Sequence, residues 1–427
     1  MKNKSKFSLL LASAFLLGIQ SVSAQVYNMA QSSLYFPGGV SDNGVVSIVA
    51  GNEMYVWNKT SGLQSIGSAG TFSGKLSISN DGLKIAGTKT NPDNNLNEMS
   101  IYEVATQTWQ NLGGIASTGM GEDLSSGWGI SADGSTVVGL GFLSDGGAHA
   151  VKWNSNGMVD LGTQFPNAYS RANAISADNN TIVGWQDQEN GERNGAKWVN
   201  GVLSYILDSQ GNKVGEASGV SADGKTIVGN NFGLAYVWNE TTGYTEFSHS
   251  NPMFNGGITA VSGDGKTAVG YFRGFGAPPF AGDGFIWTPE LGNVDLNTYV
   301  TSLGMDTQGI KFGLPLAISQ DGKKIVGTGV ITATFQPVAF LIDLTSVLGT
   351  QNVVKETITI APNPVKEYFT LSGKNIEKAS IHNMTGQKVK DLKIVNGRAD
   401  VSYLKKGIYI LQVDVAGTKQ NVKFIKE

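Results

Sequence analysis

The sequence has no cysteine and only three histidines among its 427 residues. The lack of cysteine excludes disulfides, thiolate metal sites and cysteine nucleophiles. The histidines are His149, His249 and His382, and the chain contains neither an H-E-x-x-H nor a G-x-S-x-G motif. A three-histidine metal site and a serine nucleophile elbow are therefore not expected. We predict no catalytic residue, no metal site and no cofactor.

Long apolar runs are lacking beyond the start of the chain. The run Phe7–Leu17 follows three lysines and precedes Val22 and Ala24, which occupy the −3 and −1 positions of a small-residue cleavage site. This pattern indicates a signal peptide over residues 1–24, and the run is short for a membrane anchor. No later stretch approaches eighteen apolar residues, so no transmembrane segment is predicted.

Charged residues make up only 15% of the chain and are unevenly distributed. Residues 351–427 hold thirteen Lys plus Arg and seven Asp plus Glu, a net charge of +6. Because the leader adds +3 and the total is −3, residues 25–350 carry about −12. Phosphate binding needs clustered Lys and Arg, so the acidic body argues against nucleic acid as a partner.

Glycine is abundant, at 57 residues, and much of it belongs to an internal repeat. The clearest copies run I/V-S-A-D-G-x-x-V-V-G, as in Ile130–Gly139. Asp-Gly and Asn-Gly tolerate the positive φ of tight turns, so each copy predicts a hairpin. The serines that mark the seven copies are 38 to 57 residues apart: Ser41, Ser79, Ser131, Ser176, Ser221, Ser262 and Ser319.

Each copy continues with an aromatic strand, such as Met54–Trp57, and a closing strand, such as Met158–Gly162. Four strands in about 45 residues are typical of a propeller blade, whereas an open β-solenoid, the alternative, usually has shorter repeats. We therefore predict an all-β protein with a seven-bladed β-propeller over residues 25–348. The segment Val26–Phe36 precedes the first copy and is expected to complete the last blade.

The repeat resembles the HAF-repeat family of exported bacterial proteins. The resemblance rests on the I/V-S-A-D-G-x-x-V-V-G core, the small-x-x-W strand and the trailing D-L-G, and it covers roughly residues 40–345. It implies a repeat type and says little about activity.

The chain changes character after Leu348. Residues 349–357 are polar and β-branched and predict a linker, and residues 358–427 predict a small Ig-like β-sandwich. This last segment carries P-N-P, I-x-N-x-x-G-x-x-V, L-x-x-G-x-Y and K-x-I-K motifs, in Ala361–Pro364, Ile381–Val389, Leu404–Tyr409 and Lys423–Lys426.

The order of these motifs resembles the type A sorting domain of type IX secretion, and an ordinary Ig-like adhesion domain is the alternative. The resemblance implies an address that the type IX secretion machinery recognises at the outer membrane. Such a domain is usually removed as the cargo is released or attached to surface lipopolysaccharide. The protein would then be secreted, or held on the outer surface of a Gram-negative bacterium, after passing through the periplasm.

Two motifs have simpler explanations than the functions they suggest. Gly219–Thr226 satisfies the P-loop pattern, but a β-branched run follows instead of the helix that a phosphate site requires. The repeated aspartates could attract calcium, which needs six to eight converging oxygens, yet one aspartate per turn keeps the carboxylates apart. We expect them to serve the turns instead: Asp133, Asp178, Asp223, Asp264 and Asp321.

Aromatic residues near Gly-rich stretches are the candidate ligand-binding residues, because exposed aromatic faces bind sugars and peptides. The alternative is packing under long loops. The long copies carry insertions at Thr88–Glu98 and Gly270–Asp283, where a specific surface is most easily built. The candidates are Trp109, Trp128, Trp185, Phe272 and Phe275.

Regular repeats without a catalytic motif favour a non-enzymatic binding or adhesion scaffold with an extracellular glycan or protein ligand. The alternative is an extracellular enzyme that degrades polysaccharide or peptide with carboxylates in the channel. Propellers support both roles, so the fold does not decide between them.

Overall fold

The computed structural model describes residues 25–32, 35–70, 74–349, 359–372, 376–383, 388–395, 397–415 and 418–427. The predicted signal peptide and all of the predicted linker except Gly349 lie outside the described residues. The chain divides into two compact units, Met1–Leu348 and Gly349–Glu427, and each is described by itself.

The larger unit contains seven four-stranded antiparallel sheets among its described residues. Its first strand, β1 (Gln25–Ala30), belongs to the seventh sheet, and in the other six sheets the spatial order follows the chain. The first sheet consists of β2 (Tyr35–Val40), β3 (Val46–Ala50), β4 (Glu53–Asn58) and β5 (Gly62–Ser68), and the second of β6 (Ser77–Ile78), β7 (Lys84–Thr90), β8 (Asn97–Glu103) and β9 (Thr108–Asn111). The third consists of β10 (Ser125–Ile130), β11 (Val137–Phe142), β12 (Ala148–Asn154) and β13 (Gly157–Asp160), and the fourth of β14 (Ser170–Ile175), β15 (Thr181–Asp187), β16 (Arg193–Val199) and β17 (Val202–Tyr205). The fifth consists of β18 (Ala217–Val220), β19 (Thr226–Asn231), β20 (Leu234–Asn239) and β21 (Gly243–Phe247), and the sixth of β22 (Phe254–Val261), β23 (Ala268–Gly274), β24 (Asp283–Thr288) and β25 (Gly292–Asp295).

The seventh sheet joins the two ends of the unit. Its strands are β26 (Ile310–Ile318), β27 (Lys324–Ile331), β28 (Gln336–Asp343) and β1, in that spatial order. Val26 pairs with Ile342 in an antiparallel ladder, so the segment before the first repeat does complete the last sheet. The closing strand is shorter than predicted, because Tyr35 and Phe36 already belong to the first sheet.

The sheets pack on one another in chain order, and β2 of the first sheet packs on β26 and β27 of the seventh, which closes a ring. Apolar side chains from adjacent sheets fill the space between them. Trp57 packs with Val326 of the seventh sheet, and Trp198 packs with Val138 of the third. The repeated tryptophans at these positions therefore hold neighbouring sheets together. Helical segments are short: a 3₁₀ turn (Pro279–Ala281), α1 (Leu296–Ser302) and α2 (Thr345–Gly349).

The repeat serine fastens the turn between the first and second strands of every sheet. In the third sheet Ser131 Oγ donates to Asp133 Oδ1 at 2.5 Å and accepts the Thr136 N–H at 3.0 Å. Five other copies make the same two bonds, and Ser41 makes its equivalents with Asn43 and Val45. The repeated aspartates therefore accept hydrogen bonds within their own turns.

In five of the seven copies the residue after the serine links its turn to the next sheet. The Asn80 N–H donates to Ala132 O at 2.8 Å, and the Ala222 N–H donates to Gly263 O at 2.9 Å. The Asp321 N–H donates to Asp42 Oδ1 at 2.9 Å, which connects the seventh sheet to the first. Main-chain bonds between sheets thus reinforce the ring that the side chains pack.

The smaller unit consists of two four-stranded sheets around a core that includes Phe369, Ile381 and Phe424. One sheet is β29 (Thr359–Ala361), β30 (Tyr368–Ser372), β34 (Arg398–Asp400) and β33 (Ile394–Val395); the other is β32 (Lys388–Asp391), β31 (Ile376–Asn383), β35 (Gly407–Val415) and β36 (Thr418–Lys426). The P-N-P motif and the terminal K-x-I-K motif meet here, because Asn363 Oδ1 accepts the Ile425 N–H at 2.9 Å.

Candidate functional site

A β-bulge recurs in the innermost strands, three residues before the repeat serine. In these strands the pairing with the second strand skips one residue, as at Trp128 between Gly127 and Gly129. A bulge frees a side chain from the regular ladder and turns it in a new direction. The six residues placed this way all line one cavity at the centre of the ring: Gly38, Trp128, Asn173, Ser218, Thr259 and Leu316.

This cavity, the channel mouth, has a volume of about 430 Å³. Beyond it the central channel narrows to a space of about 120 Å³. The Ile or Val that precedes each repeat serine lines the narrow part: Val40, Ile78, Ile130, Ile175, Val220, Val261 and Ile318. The channel is therefore narrow at the serine end, where Ile and Val side chains lie beside polar ones such as Asn80 and Gln320, and it is wider at the mouth.

Three charged side chains line the mouth among the described residues: Lys75, Arg171 and Glu216. Arg171 and Glu216 lie in neighbouring sheets, and an Arg171 terminal nitrogen is 2.6 Å from Glu216 Oε1. Asn173 completes the network, since its amide nitrogen donates to the same oxygen at 2.8 Å and its Oδ1 accepts from Arg171 Nε at 2.8 Å. Such a network fixes both charged groups in place.

Arg171 is also stacked between two tryptophans. Its guanidinium carbon is 3.6 Å from the centre of the Trp128 ring and 5.4 Å from that of the Trp185 ring. The guanidinium carbon of Arg193 also lies over Trp185, 4.1 Å from the ring centre. Burial lowers the pKa of Arg171 and the Glu216 carboxylate opposes that shift, so the guanidinium stays charged. We call Trp128, Arg171, Trp185 and Arg193 the Trp–Arg stack.

The Trp–Arg stack lines a second cavity of about 330 Å³, together with Met120 and Tyr169. We call this the side cavity. Trp128 and Arg171 line both cavities, so they form a shared boundary. A ligand in the mouth would therefore contact a surface that is both aromatic and cationic, which suits the faces and hydroxyls of sugars.

Lys75 lies just before β6 and lines both the mouth and the narrow channel. No hydrogen bond or ion pair of its ammonium is found within the described part of the chain. Burial lowers its pKa to about 8. Most of the Lys75 side chains are therefore still charged at pH 7, and none of the described residues supplies a counter-ion for them.

The three predicted tryptophans fall into two groups. Trp128 and Trp185 come together in the Trp–Arg stack, although Trp185 is buried. Trp109 instead packs on Tyr102 and donates its indole N–H to the Ile66 carbonyl at 2.6 Å.

The two phenylalanines are placed differently from each other. Phe272 is 2% exposed and stacks on Phe285, so its ring belongs to the core and offers no free face. Phe275 is 97% exposed and lines neither the channel mouth nor the side cavity. The first insertion, Thr88–Glu98, forms most of the β7–β8 hairpin, and the second holds the end of β23 and the 3₁₀ turn.

The mouth residues that the sequence analysis missed have a simple position in the repeat. Arg171 and Glu216 each lie five residues before the repeat serine, and Asn173 lies three before it. Other copies place Phe36 or Gly257 at the first of these positions. Aligning the copies on their serines and looking for charges at these variable positions would have found them.

The remaining motifs lie elsewhere. His149 pairs with Asp160 at 2.9 Å in the third sheet, while His249 stacks on Phe254 beside the sixth. Gly219–Thr226 covers the turn between β18 and β19, and a strand follows it, as predicted.

Comparison with known proteins identifies the smaller unit. Residues 359–427 match the family model described as the secretion system C-terminal sorting domain. The tail is therefore a type IX sorting domain, and it indicates a protein that is secreted or carried on the outer cell surface. Among the described residues, no helix has the length and apolar character needed to cross a membrane.

Solved structures with similar folds share little sequence with the chain. A chain of the mitotic checkpoint complex is 15% identical, with 80% of this chain and 98% of that chain covered and a TM-score of 0.47. Oligogalacturonate lyase in complex with manganese is 11% identical, with 76% and 94% covered and a TM-score of 0.48. TolB from Acinetobacter baumannii is 10% identical, with 75% and 64% covered and a TM-score of 0.37. No curated protein matches the sequence.

Proposed function

We propose that this protein is an exported seven-bladed β-propeller that binds an extracellular glycan at its channel mouth without transforming it. In this proposal residues 25–348 form the propeller, with one blade per sheet, and residues 358–427 deliver it through type IX secretion. The observation that carries the proposal is the Trp–Arg stack beside an open cavity of about 430 Å³.

Rigidity of the binding surface supports a binding role. Arg171 is held by Glu216, by Asn173 and by the faces of two indoles, so its position is fixed before any ligand arrives. A surface that is already ordered loses little conformational entropy on binding. The volume of the mouth also falls within the range of about 300 to 1,000 Å³ that is usual for small-molecule sites.

Neutral hydrogen-bonding groups complete a surface suited to sugars. Asn230, Ser218, Thr259 and Tyr271 line the mouth along with Trp128. Sugars present a ring of hydroxyls and an apolar face, so a mixture of amide, hydroxyl and aromatic groups matches both. An adhesion scaffold would display this mouth outside the cell.

The alternative function is hydrolysis of an extracellular polysaccharide or peptide. Glycoside hydrolysis uses two carboxylic acids that face each other across the bond to be cleaved. Glu216 is the one carboxylate that lines the mouth among the described residues, and its Oε1 already accepts from Arg171 and Asn173. The two functions are distinguished by whether bound polysaccharide is released as product.

The test is a glycan-array and polysaccharide-release screen on the purified chain beginning at Gln25. We expect glycan binding without product, and Trp128→Ala should weaken binding by about 30-fold or more, the effect of losing a central aromatic contact. Phe275→Ala is the matched control, because that ring is 97% exposed and lines neither cavity. Release of product would show an enzyme, and equal binding by Trp128→Ala would move the site elsewhere.

A further inference from the structure

We propose that the ligand of the channel mouth is an acidic sugar, a uronate-type saccharide whose carboxylate binds the ammonium of Lys75. This inference rests on the proposed function and names the chemical class of its ligand.

The charges at the mouth do not cancel. Arg171 is neutralised by Glu216, 2.6 Å away, whereas Lys75 has no acceptor among the described residues. The three charged side chains that line the mouth therefore leave one positive charge, and that charge belongs to Lys75. A buried ammonium that lacks a counter-ion among the described residues is an attractive site for an anion, because little water has to be displaced from it.

The sign of this site is opposite to that of its surroundings. Residues 25–350 carry a net charge of about −12, so an anion is repelled by the body as a whole. Arg193 lies over Trp185 at the side cavity and is paired with Asp187, 3.8 Å from its Nε, so among the described residues Lys75 remains the uncompensated charge beside the Trp–Arg stack. A local positive region on an acidic body gives selectivity for ligands whose negative charge is concentrated on one group.

The single uncompensated charge favours a monoanion. A carboxylate matches one ammonium, whereas a phosphate monoester near neutral pH brings almost two charges and is usually bound by bidentate arginine. Arg171 already donates its Nε and a terminal nitrogen to Asn173 and Glu216. The aromatic ring of Trp128 and the hydroxyls and amides around it then favour a sugar over a simple organic acid as the carrier of that carboxylate.

The protonation of Lys75 gives the proposal a pH signature. Burial lowers the pKa of Lys75 to about 8, so the free protein loses the charge as the pH rises through that value. A bound carboxylate stabilises the ammonium, so the site takes up a proton on binding, roughly half a proton per site at pH 8. The other titratable groups that line the mouth are Arg171, Glu216 and Tyr271, and the adjacent strands β2 and β10 contain no charged residue. Strand β7, which pairs with β6, carries Lys84, bound to Glu103, and Lys89, bound to the Ser68 carbonyl.

The experiment compares oligouronates with their methyl esters on the chain beginning at Gln25, by calorimetry at pH 7.0, 8.0 and 9.5. The methyl ester keeps the size and hydroxyls of the sugar and removes its charge. We expect the ester to bind about 10- to 100-fold more weakly, which is the usual effect of losing a charged hydrogen bond. At pH 8 the measured enthalpy should change with the ionisation enthalpy of the buffer, because a proton is taken up.

Variants of Lys75 separate its charge from its bulk. Lys75→Gln should reduce affinity for the acidic sugar to that for the ester and remove the pH dependence, while Lys75→Arg should keep most of the affinity. Lys89→Gln is the matched control, because it removes the same positive charge at a lysine that lines neither cavity. The Lys89 ammonium bonds to the Ser68 carbonyl instead.

The outcomes distinguish this inference from the proposed function. Equal binding of acid and ester, lost in Trp128→Ala, would overturn the acidic-sugar inference and keep the glycan site. Preference for a sulfated sugar would overturn the carboxylate as the group that Lys75 binds. Preference for a peptide with a free C-terminal carboxylate would overturn the sugar as the carrier of that group. Absence of any glycan binding would overturn both proposals.

Discussion

At the scale of single residues, the repeat serine decides the geometry of each turn. Ser131 is fully buried, and its hydroxyl makes one bond as a donor to Asp133 and one as an acceptor from Thr136. The serine therefore satisfies a main-chain N–H that would otherwise be buried without an acceptor. An unsatisfied buried donor costs more than a typical hydrogen bond contributes, which explains why a hydroxyl recurs at this position in all seven copies.

Replacing Ser131 tests this role. Ser131→Ala removes both bonds and should lower the free energy of unfolding by about 1 to 3 kcal/mol, the cost of leaving a buried donor unpaired. Chemical denaturation of the chain beginning at Gln25 measures it.

Ser135→Ala is the control, because its hydroxyl also bonds Asp133, at 2.8 Å, but stands at the exposed end of the same turn. We expect a loss below about 0.5 kcal/mol there, as is usual for surface substitutions. Equal losses in the two variants would show that burial of the serine adds nothing.

Residue-level prediction succeeded where a pattern repeats and failed where two sheets meet. Six turns follow from Asp-Gly or Asn-Gly, and the fourth has Asn179, at φ +63°, where the others have glycine, so the positions of all seven could be predicted. The Trp–Arg stack could not, because Trp128 belongs to the third sheet and Arg171 to the fourth, and their distance depends on how the sheets pack. Trp109 and Phe272 look equally available in the sequence, yet neighbouring strands cover both.

At the scale of elements, the closing strand is the least predictable part of the fold. Hydrophobic alternation indicates a strand in Val26–Phe36, but the pattern does not identify its partner. The structure divides this segment between the seventh sheet and the first. The division follows from burial, since Val26 is 2% exposed and packs with Ile342, whereas Tyr35 packs on Tyr55. Ring closure is thus a property of contacts that are distant in sequence.

Moving the closing strand tests its role. Gln25 lies opposite Asp343, so a two-residue Asn-Gly turn can join these positions and place Gln25–Ala30 directly after β28. We compare three chains: residues 25–343, residues 31–343, and residues 31–343 followed by the turn and the moved strand. Omitting the strand should lower the unfolding midpoint by about 10 °C or more, since buried side chains and a full edge of hydrogen bonds are lost. The moved strand should restore most of that loss.

A matched control carries Val26→Asp and Met29→Asp in the moved strand, because these two residues are its buried ones. This chain should behave like the one that lacks the strand. If omission of Gln25–Ala30 leaves the midpoint unchanged, the pairing with β28 does not hold the ring closed. Aggregation of the shortened chain would agree with an exposed β28 edge.

At the scale of the whole molecule, the two units differ in charge and in how each forms its core. The larger unit packs sheet against sheet around a channel, and residues 25–350 are acidic, at about −12. The smaller unit surrounds its own core of Val365, Phe369 and Leu411, and residues 351–427 carry +6. The chain divides into these two compact units between Leu348 and Gly349.

Separate cores predict separate unfolding. A calorimetric scan of the chain beginning at Gln25 should show two transitions, and the transition of the larger unit should have an enthalpy about five times greater, because unfolding enthalpy scales with residue number. The smaller transition should occur at lower temperature, since a unit of about 70 residues buries proportionally less surface. Residues 25–348 alone should show only the larger transition, at the same temperature.

Two substitutions assign the transitions. Val26→Asp places a charge in the core of the larger unit and should lower its midpoint alone, while Phe424→Ala opens a cavity in the smaller unit and should lower only the other. A buried phenylalanine lost to alanine costs about 3 to 5 kcal/mol, which is enough to shift or remove the transition of so small a unit. A single transition displaced by both variants would contradict the independence of the two cores. Two transitions that respond separately would mean that the larger unit keeps its fold without the sorting domain.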